Sequence, residues 1–322
     1  MQYILLGISP VDLGRAPYRA KLLSSVEASA IRYGIRANPI CRLYVPPPIG
    51  GFVGGDMVSL MIANRLHRRR KPVLAIDLGT NGEIAVAYDG RVFACSTAAG
   101  PAFEGERISC GMRATSGAIE RVGIGKQGIR LKIVGDTKPV GLCGSGLISL
   151  VTELLDAGVL ESSGRLKASS EIAKPWLARR VIEGDFGREF VIHRSRRITL
   201  RQGDIREIQL GKAAISAGIR VLCSVAGLKP SGIKEAFVAG GFGSSLLGRD
   251  LKRIGILPAD FCGRVRIVGN GAIEGAKILL TSEKARHEAS QVASLTQHVR
   301  LFTQEEFKEE FYGSMHFPPQ TA

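Results

Sequence analysis

The sequence predicts an α/β protein. Short apolar, β-branched runs such as Val73–Ile76 and Val265–Val268 alternate with longer segments whose apolar residues recur at helical spacing. The chain has 40 glycines, about twice average usage, without low complexity. Such usage implies tight turns and close backbone approaches between the elements. At 322 residues the chain is long enough to bury a sizeable core, in one large domain or two.

In chain order, Pro17–Ile35 reads as an amphipathic helix, with Leu22, Leu23, Val26, Ala30 and Ile31 at helical spacing. Cys41–Val45 is a short strand stopped by Pro46, Pro47 and Pro48. Gly50–Leu66 reads as a second helix that opens GGFVGGD. Glycine inside a helix costs ~1 kcal/mol against alanine. Gly54 and Gly55 therefore call for close contact with another helix or a ligand. Asp56 either touches that ligand or complements the helix dipole as a first-turn acid.

The next stretch, Val73–Val122, organises the chain. Val73–Ile76 is a strand that ends at a carboxylate, Asp77, and the turn residues Gly79, Thr80, Asn81 and Gly82 follow. Glu83–Tyr88 alternates as a second strand, Asp89-Gly90 signals a two-residue hairpin, and Arg91–Ser96 is the third strand. Backbone N–H groups in a Gly/Thr/Asn turn can point at phosphate oxygens, and Thr80 adds a hydroxyl. Asp77 suits a magnesium ion held through water, since Mg²⁺ takes one or two carboxylates plus waters and phosphates. The competing reading of this turn is a tight hairpin with an Asx turn. Gly100–Thr115, GPAFEGERISCGMRAT, is a loop. Its Glu104, Glu106 and Arg113 either line a site or pair at the surface. Ala118–Ile124 and Ile129–Val134 form a strand pair.

Gly141–Gly158 places a Gly/Ser/Gly turn before an apolar helix that ends at Gly158. N–H groups at such a helix start bind anions, which makes Gly144, Ser145 and Gly146 phosphate candidates. Ser145 alone also reads as a plain N-cap. Ser162–Arg201 reads as a hairpin insertion, with His193 structural. Asp204 then caps a long helix, Ile205–Ala226. Lys234–Ala239 is a strand running into Gly240, Gly241, Phe242 and Gly243, where a flat ring can lie on bare backbone. Val265–Val268 leads through Gly269, Asn270 and Gly271 into the small-residue helix Ala272–Leu280. Gly271, Ala272, Gly275 and Ala276 suit a close crossing with the helix of Gly54 and Gly55. Glu283–Leu295 and Gln304–Tyr312 are surface helices, with a strand at Val299–Phe302 between them.

Composition narrows the function. The six cysteines form no CxxC pair and no zinc or iron–sulfur spacing, so free thiols and no cluster are expected. Net charge is +15, with small clusters at His67–Lys71, Arg179-Arg180 and Arg194–Arg201. Few aromatics accompany them, so solvated faces are expected rather than nucleic-acid binding. No apolar run suggests a membrane span, and Met1–Pro10 lacks a signal-peptide pattern. A cytoplasmic protein is expected.

The order of these signals resembles the superfamily of acetate kinase, sugar kinases, heat-shock chaperones and actin (the ASKHA, ribonuclease H-like fold), which clamps ATP between two related half-domains. DLGTNGE at Asp77–Glu83 resembles its phosphate hairpin and VAGGFG at Val238–Gly243 its adenosine motif. FVGGD at Phe52–Asp56, the block Cys95–Val122, GLCGSGL at Gly141–Leu147, DIREIQLGKAAISAG at Asp204–Gly218 and VGNGAIEGAK at Val268–Lys277 are similar to one family. It is the ATP-dependent reductive activators of corrinoid proteins, in their C-terminal ATPase region. Members restore cob(II)alamin proteins to the cob(I) state used in methyl transfer.

The resemblance implies ATP and Mg²⁺ as ligands, with Asp77 and Glu104 as candidate catalytic carboxylates. Asp77, Gly79, Thr80, Asn81, Gly82, Gly144, Ser145, Gly146, Gly240, Gly241, Phe242 and Asn270 are the candidate cofactor-binding residues. Residues 1–70 correspond to a remnant of the first half-domain with its connecting helix, and 71–322 to the second half-domain. The family's N-terminal iron–sulfur domain and first phosphate hairpin have no counterpart in this sequence. The expected partners are a corrinoid protein, a separate iron–sulfur electron donor, a separate N-terminal half and a second copy in a homodimer. Cys95–Arg113 is the expected docking surface for the corrinoid protein; the alternative is that it shapes the nucleotide pocket. A kinase-like phosphotransferase and a non-catalytic nucleotide-binding scaffold are the alternative functions.

Overall fold

The computed structural model describes residues 1–15, 18, 20–126, 128–241 and 245–319. It opens with a short helix α1 (Gln2–Leu5) and an antiparallel pair, β1 (Val26–Ser29) and β2 (Arg42–Val45), registered from Val26↔Val45 to Ser29↔Arg42. The helix expected over Pro17–Ile35 does not form among the described residues. Pairing with β2 takes Val26–Ser29, and a 3₁₀ turn at Ala30–Tyr33 ends at Gly34 with φ 73°. The residues read as one apolar face separate, with Leu22 and Ala30 buried and Leu23 70% and Ile31 52% exposed.

Helix α2 (Gly55–Ala63) starts later than expected because Gly50 pairs with Val53 in an isolated antiparallel bridge. Met57, Val58, Leu60 and Met61 are completely buried, so α2 is a core helix on all sides. The meander follows: β3 (Val73–Leu78), β4 (Gly82–Tyr88) and β5 (Arg91–Thr97). The β4–β5 turn has φ 46° at Asp89 and 78° at Gly90, the positive pair that a type I′ hairpin requires.

The chain then builds β6 (Ala118–Ile124), β7 (Ile129–Ile133), β8 (Gly141–Leu142) and helix α3 (Gly144–Asp156). A short helix α4 (Pro175–Ala178) precedes β9 (Val181–Gly184), β10 (Gly187–His193) and β11 (Ile198–Arg201), a three-stranded antiparallel insertion. Helix α5 (Gln202–Val225) is next. Asp204 sits inside its first turn, and its carboxylate reaches back to the N–H of Arg201 at 2.8 Å and takes the Ser109 N–H and hydroxyl at 2.8 and 2.6 Å. By length and composition α5 could span a bilayer, but most of it is buried as the central helix of the fold. Strand β12 (Glu235–Gly240), α6 (Gly248–Arg253), β13 (Arg264–Gly269), α7 (Gly271–Thr281), α8 (Glu283–Leu295), β14 (Thr296–His298) and α9 (Glu306–Gly313) complete the chain. The strand expected at Val299–Phe302 lies earlier. Chain leaving α8 pairs at once with β5, Thr296 on Val92, and Leu301–Thr303 is a 3₁₀ turn.

The main sheet has the order β13-β12-β3-β4-β5-β14, with β13, β12 and β3 parallel and β3-β4-β5 antiparallel. Period-2 alternation divides its side chains between two cores. Leu74, Ile76, Leu78, Ile84, Val86 and Phe93 face the larger core, which includes residues of α3 and α5. The smaller residues Ala75, Ala85, Ala87 and Ala94 face α2, α7 and α8. Small side chains on that face let the helices lie close to the sheet.

Helices α2 and α7 do cross closely, but not through the expected pair of glycines on α2. A Cβ on Gly275 would lie 1.9 Å from the Ser59 carbonyl oxygen, and one on Gly271 2.2 Å from Leu60 Cδ1. Gly54 and Gly55 instead abut Asp56, Gln2 and Pro46. The Gln2 side chain bridges there, donating to the Pro46 carbonyl at 2.7 Å and accepting the Gly55 N–H at 3.3 Å.

Candidate functional site

A cleft of about 540 Å³ opens at the carboxyl ends of β3 and β12. Open α/β sheets place ligands at this end of their strands. Its walls come from four junctions: β3 into the hairpin turn, the 100–115 loop, the start of α3, and the Gly-rich exits of β12 and β13. Asp77, Gly79, Glu104, Gly144, Gly240, Gly241 and Asn270 all line it. Residues far apart in sequence thus converge because the parallel register sets Ala239 beside Asp77 and Gly240 beside Leu78.

Asp77 lies at the inner wall, and its carboxylate has no hydrogen-bond or ion-pair partner among the described residues. Burial, and then the nearby Asp56 carboxylate, push its pKa up to about 6. Glu83 faces Asp77 across the β3–β4 register. Burial first, then Asp56 and Asp77, push Glu83 up to about 8, and Ser96 Oγ donates to it at 3.2 Å. A partly buried, unpartnered carboxylate beside a second acid is costly unless a cation or a proton joins it. Asp77 with Asp56 therefore fits a hard divalent ion that keeps water and phosphate in its remaining positions. Among the described residues no group of three His, Cys, Asp or Glu forms a ready metal cage, and all six cysteines are free.

The other candidates divide. Thr80 Oγ1 donates to Glu104 Oε1 at 2.9 Å, which ties the hairpin tip to the loop. The Gly79 N–H is taken by the Asn81 carbonyl at 3.0 Å, within the turn. A Cβ on Gly79 would approach Glu104 at 3.3 Å, so the two walls meet here. Gly240 has φ 141° and with Gly241 presents bare backbone to the cleft; Phe242 lies outside the described residues. Asn270 caps α7, its Oδ1 accepting the Ile273 N–H at 3.0 Å, and also lines the cleft.

Five candidates, Thr80, Asn81, Gly82, Ser145 and Gly146, are not part of its lining. Gly82 is buried, and a Cβ there would lie 2.9 Å from Ile215 of α5. Gly146 is a packing glycine, since its Cβ would fall 1.9 Å from the Ile119 carbonyl of β6. Ser145 is buried, with its hydroxyl 3.4 Å from Cys143 Sγ. Asn81 turns to a neighbouring cavity of about 840 Å³ that also holds Glu83.

Asp56, read from the sequence either as a ligand contact or as a helix-start acid, borders both cavities. Glu83 carried a usable signal, because it mirrors Asp77 across the turn. Glu104 and Arg113 line the cleft, whereas Glu106 is exposed and does not.

Two family models match the chain. The model of the C-terminal domain of RACo, the ASKHA domain, matches residues 71–322, and that of the RACo middle region matches 1–69. The corrinoid activation enzyme RamQ of Eubacterium limosum is 34% identical over 318 residues, 97% of this chain and 53% of its own length. A [Co(II) methylated amine-specific corrinoid protein] reductase of Methanosarcina barkeri is 26% identical over 296 residues, 84% of this chain and 51% of its own. The solved structure of a reductive activator for corrinoid, iron-sulfur protein superposes with a TM-score of 0.89 at 34% identity. That superposition covers 99% of this chain and 51% of the other. The chain spans about half the length of the curated relatives it matches.

Proposed function

The chain belongs to the RACo family, and from that premise we propose that it is the ATP-binding component of a system that reductively activates a corrinoid protein. The activity is restoration of cob(II) to the cob(I) state used in methyl transfer. A separate iron–sulfur protein supplies the electron, and ATP drives the conformational work. The observation that carries this reading is the cleft itself: an acid-ended strand, a turn opened by Gly79, a helix start and a bare Gly-Gly strand exit converge on one space. RamQ and the two other relatives are named for corrinoid activation or reduction, which supplies the partner class.

In this reading Gly240 and Gly241 receive the adenosine, and Asn270 borders it. Asp77 and Asp56 hold Mg²⁺ through water. When bound, that ion would supply positive charge against the phosphates. Glu104, held by the Thr80 hydroxyl, orients water at the phosphate end. Closure of the hairpin on the 100–115 loop excludes bulk solvent, and the Thr80–Glu104 bond is the clasp.

Residues 1–70 act as the remnant of a first half-domain and 71–322 as the second. A further polypeptide segment covers the first region, whether a separate N-terminal half or a second copy. Supporting this, Ile4, Leu5, Val11, Leu23, Ile31 and Ile40 are all exposed, and β1–β2 is a two-stranded sheet with open edges. Isolated two-stranded sheets are marginal alone.

The test is reactivation. A corrinoid protein in the cob(II) state is mixed with the chain, a reduced iron–sulfur donor and Mg-ATP, and cob(I) is followed by its visible absorbance. Cob(I) should accumulate with ATP and not with a non-hydrolysable analogue. Equal accumulation with and without ATP, in the presence of any segment needed to complete the first half-domain, would overturn the proposal.

A further inference from the structure

The acids of the cleft outnumber its bases. Asp56, Asp77 and Glu104 line it, and Arg113 is the one cation among its described lining residues. A nucleotide polyphosphate adds several negative charges to that space. One divalent ion on Asp77 is a partial answer, and the site needs a fixed positive group as well.

Arg113 is placed for that role by backbone, not by its own contacts. Gly111 makes a parallel bridge to Leu142, so Arg113, two residues on, comes level with Gly144, the first residue of α3. The Met112 N–H donates to the Leu142 carbonyl at 2.9 Å, and the Leu142 N–H to the Cys110 carbonyl at 2.8 Å. Glycines make this crossing possible: a Cβ on Gly111 would lie 1.9 Å from the Gly105 carbonyl, and one on Gly141 2.5 Å from that of Cys110. The segment is thus pinned on both sides. The Arg113 side chain itself is exposed and has no hydrogen-bond or ion-pair partner among the described residues. Beside it, α3 is 13 residues long and no side chain caps its N-terminus. An anchored backbone, a free guanidinium and an uncapped helix start face the same cleft, which is a preorganised arrangement for phosphate.

We propose that Arg113 is a phosphate-binding residue of this site, its guanidinium and the α3 N-terminus together receiving the polyphosphate of the bound nucleotide. The inference rests on the nucleotide reading above and deepens it. It also reassigns Arg113 from a docking surface for the corrinoid protein to the interior of the cleft.

Calorimetry on the full chain tests it, with adenosine, Mg-ADP and Mg-ATP titrated into wild type, Arg113→Ala and Arg113→Lys. Charge-assisted hydrogen bonds contribute about 1.5–3 kcal/mol, so loss of the guanidinium lowers ADP and ATP affinity about 10- to 100-fold. Adenosine affinity stays within about twofold, and lysine recovers part of the loss as a point charge. The inference is overturned if Arg113→Ala binds ATP like wild type, or if adenosine binding falls in parallel with ATP. Wild type that binds no nucleotide refutes the underlying nucleotide reading instead, and the inference with it. Retained ATP affinity with weakened corrinoid-protein binding restores the docking role.

Discussion

Replacing Gly275 by alanine should disturb both the fold and the cleft. The added Cβ lies 1.9 Å from the Ser59 carbonyl oxygen, 2.3 Å from its carbon and 2.7 Å from its Cα. Every one of those atoms is helix backbone, so no rotamer change relieves the contact. Non-bonded carbon and oxygen need roughly a further 1 Å or more of separation. Helix α2 cannot retreat, because Met57 to Met61 are buried against the sheet. The shift falls on α7, whose outer residues Ile273 and Leu280 are 51% and 69% exposed. Overpacking costs about 1–3 kcal/mol, and a backbone clash belongs at the upper end. The melting temperature should fall by about 3–5 °C, since in a chain of 322 residues 1 kcal/mol is worth about 1.5 °C. Movement of α7 also displaces Asn270 and Ala272 from the cleft wall, so Mg-ATP affinity should drop about tenfold, or ~1.4 kcal/mol. Gly203→Ala is the control: it lies in the first turn of α5, its added Cβ meets nothing within 4 Å, and helix propensity gains about 0.5–1 kcal/mol. Thermal melts by circular dichroism and calorimetry decide the matter. A Gly275→Ala protein that melts within about 1 °C of wild type and binds nucleotide normally would refute the crossing argument.

Two other outcomes follow from the carboxylates. Glu83 has its folded pKa raised to about 8 from an ordinary 4.5, so the folded state binds the extra proton between those values. Its contribution is therefore favourable at low pH and is lost as pH rises through 8. Glu83→Gln should gain stability relative to wild type as pH goes from 5 to 8 in urea titrations. A constant difference would show that the side chain is not buried as described. Asp77→Asn should remove the magnesium dependence of ATP binding. In wild type that dependence should strengthen as pH rises through about 6, where Asp77 loses its proton. Binding that responds to Mg²⁺ equally in both proteins would exclude Asp77 as the ion's holder.

The meander and its flanking helices were legible because two signals agreed in each element. β3 to β5 combine apolar β-branched runs with an Asp-Gly turn. At Pro17–Ile35 the spacing was helical, but β2 captured Val26–Ser29, which leaves Leu22 and Ala30 buried and Leu23 and Ile31 exposed. Glycine was the ambiguous letter in the site. Gly144, Gly240 and Gly241 face the cleft, whereas Gly82 and Gly146 are small because Ile215 and Ile119 press on them. A missing Cβ serves ligand approach and helix packing equally well, and only the distant partner tells them apart. For Arg113 the sequence left site lining and surface pairing open, since its place depends on a bridge between Gly111 and Leu142.

The central claim is that Mg-ATP occupies the cleft between the Asp77 hairpin and the Gly240–Gly241 exit. Calorimetric titration of Mg-ATP into wild type and Gly241→Val tests it most directly. Wild type should show one magnesium-dependent site per chain and the variant a clear loss, because a valine side chain would occupy the bare backbone that the adenosine needs. No heat of binding at millimolar Mg-ATP, or equal binding by both proteins, would contradict it.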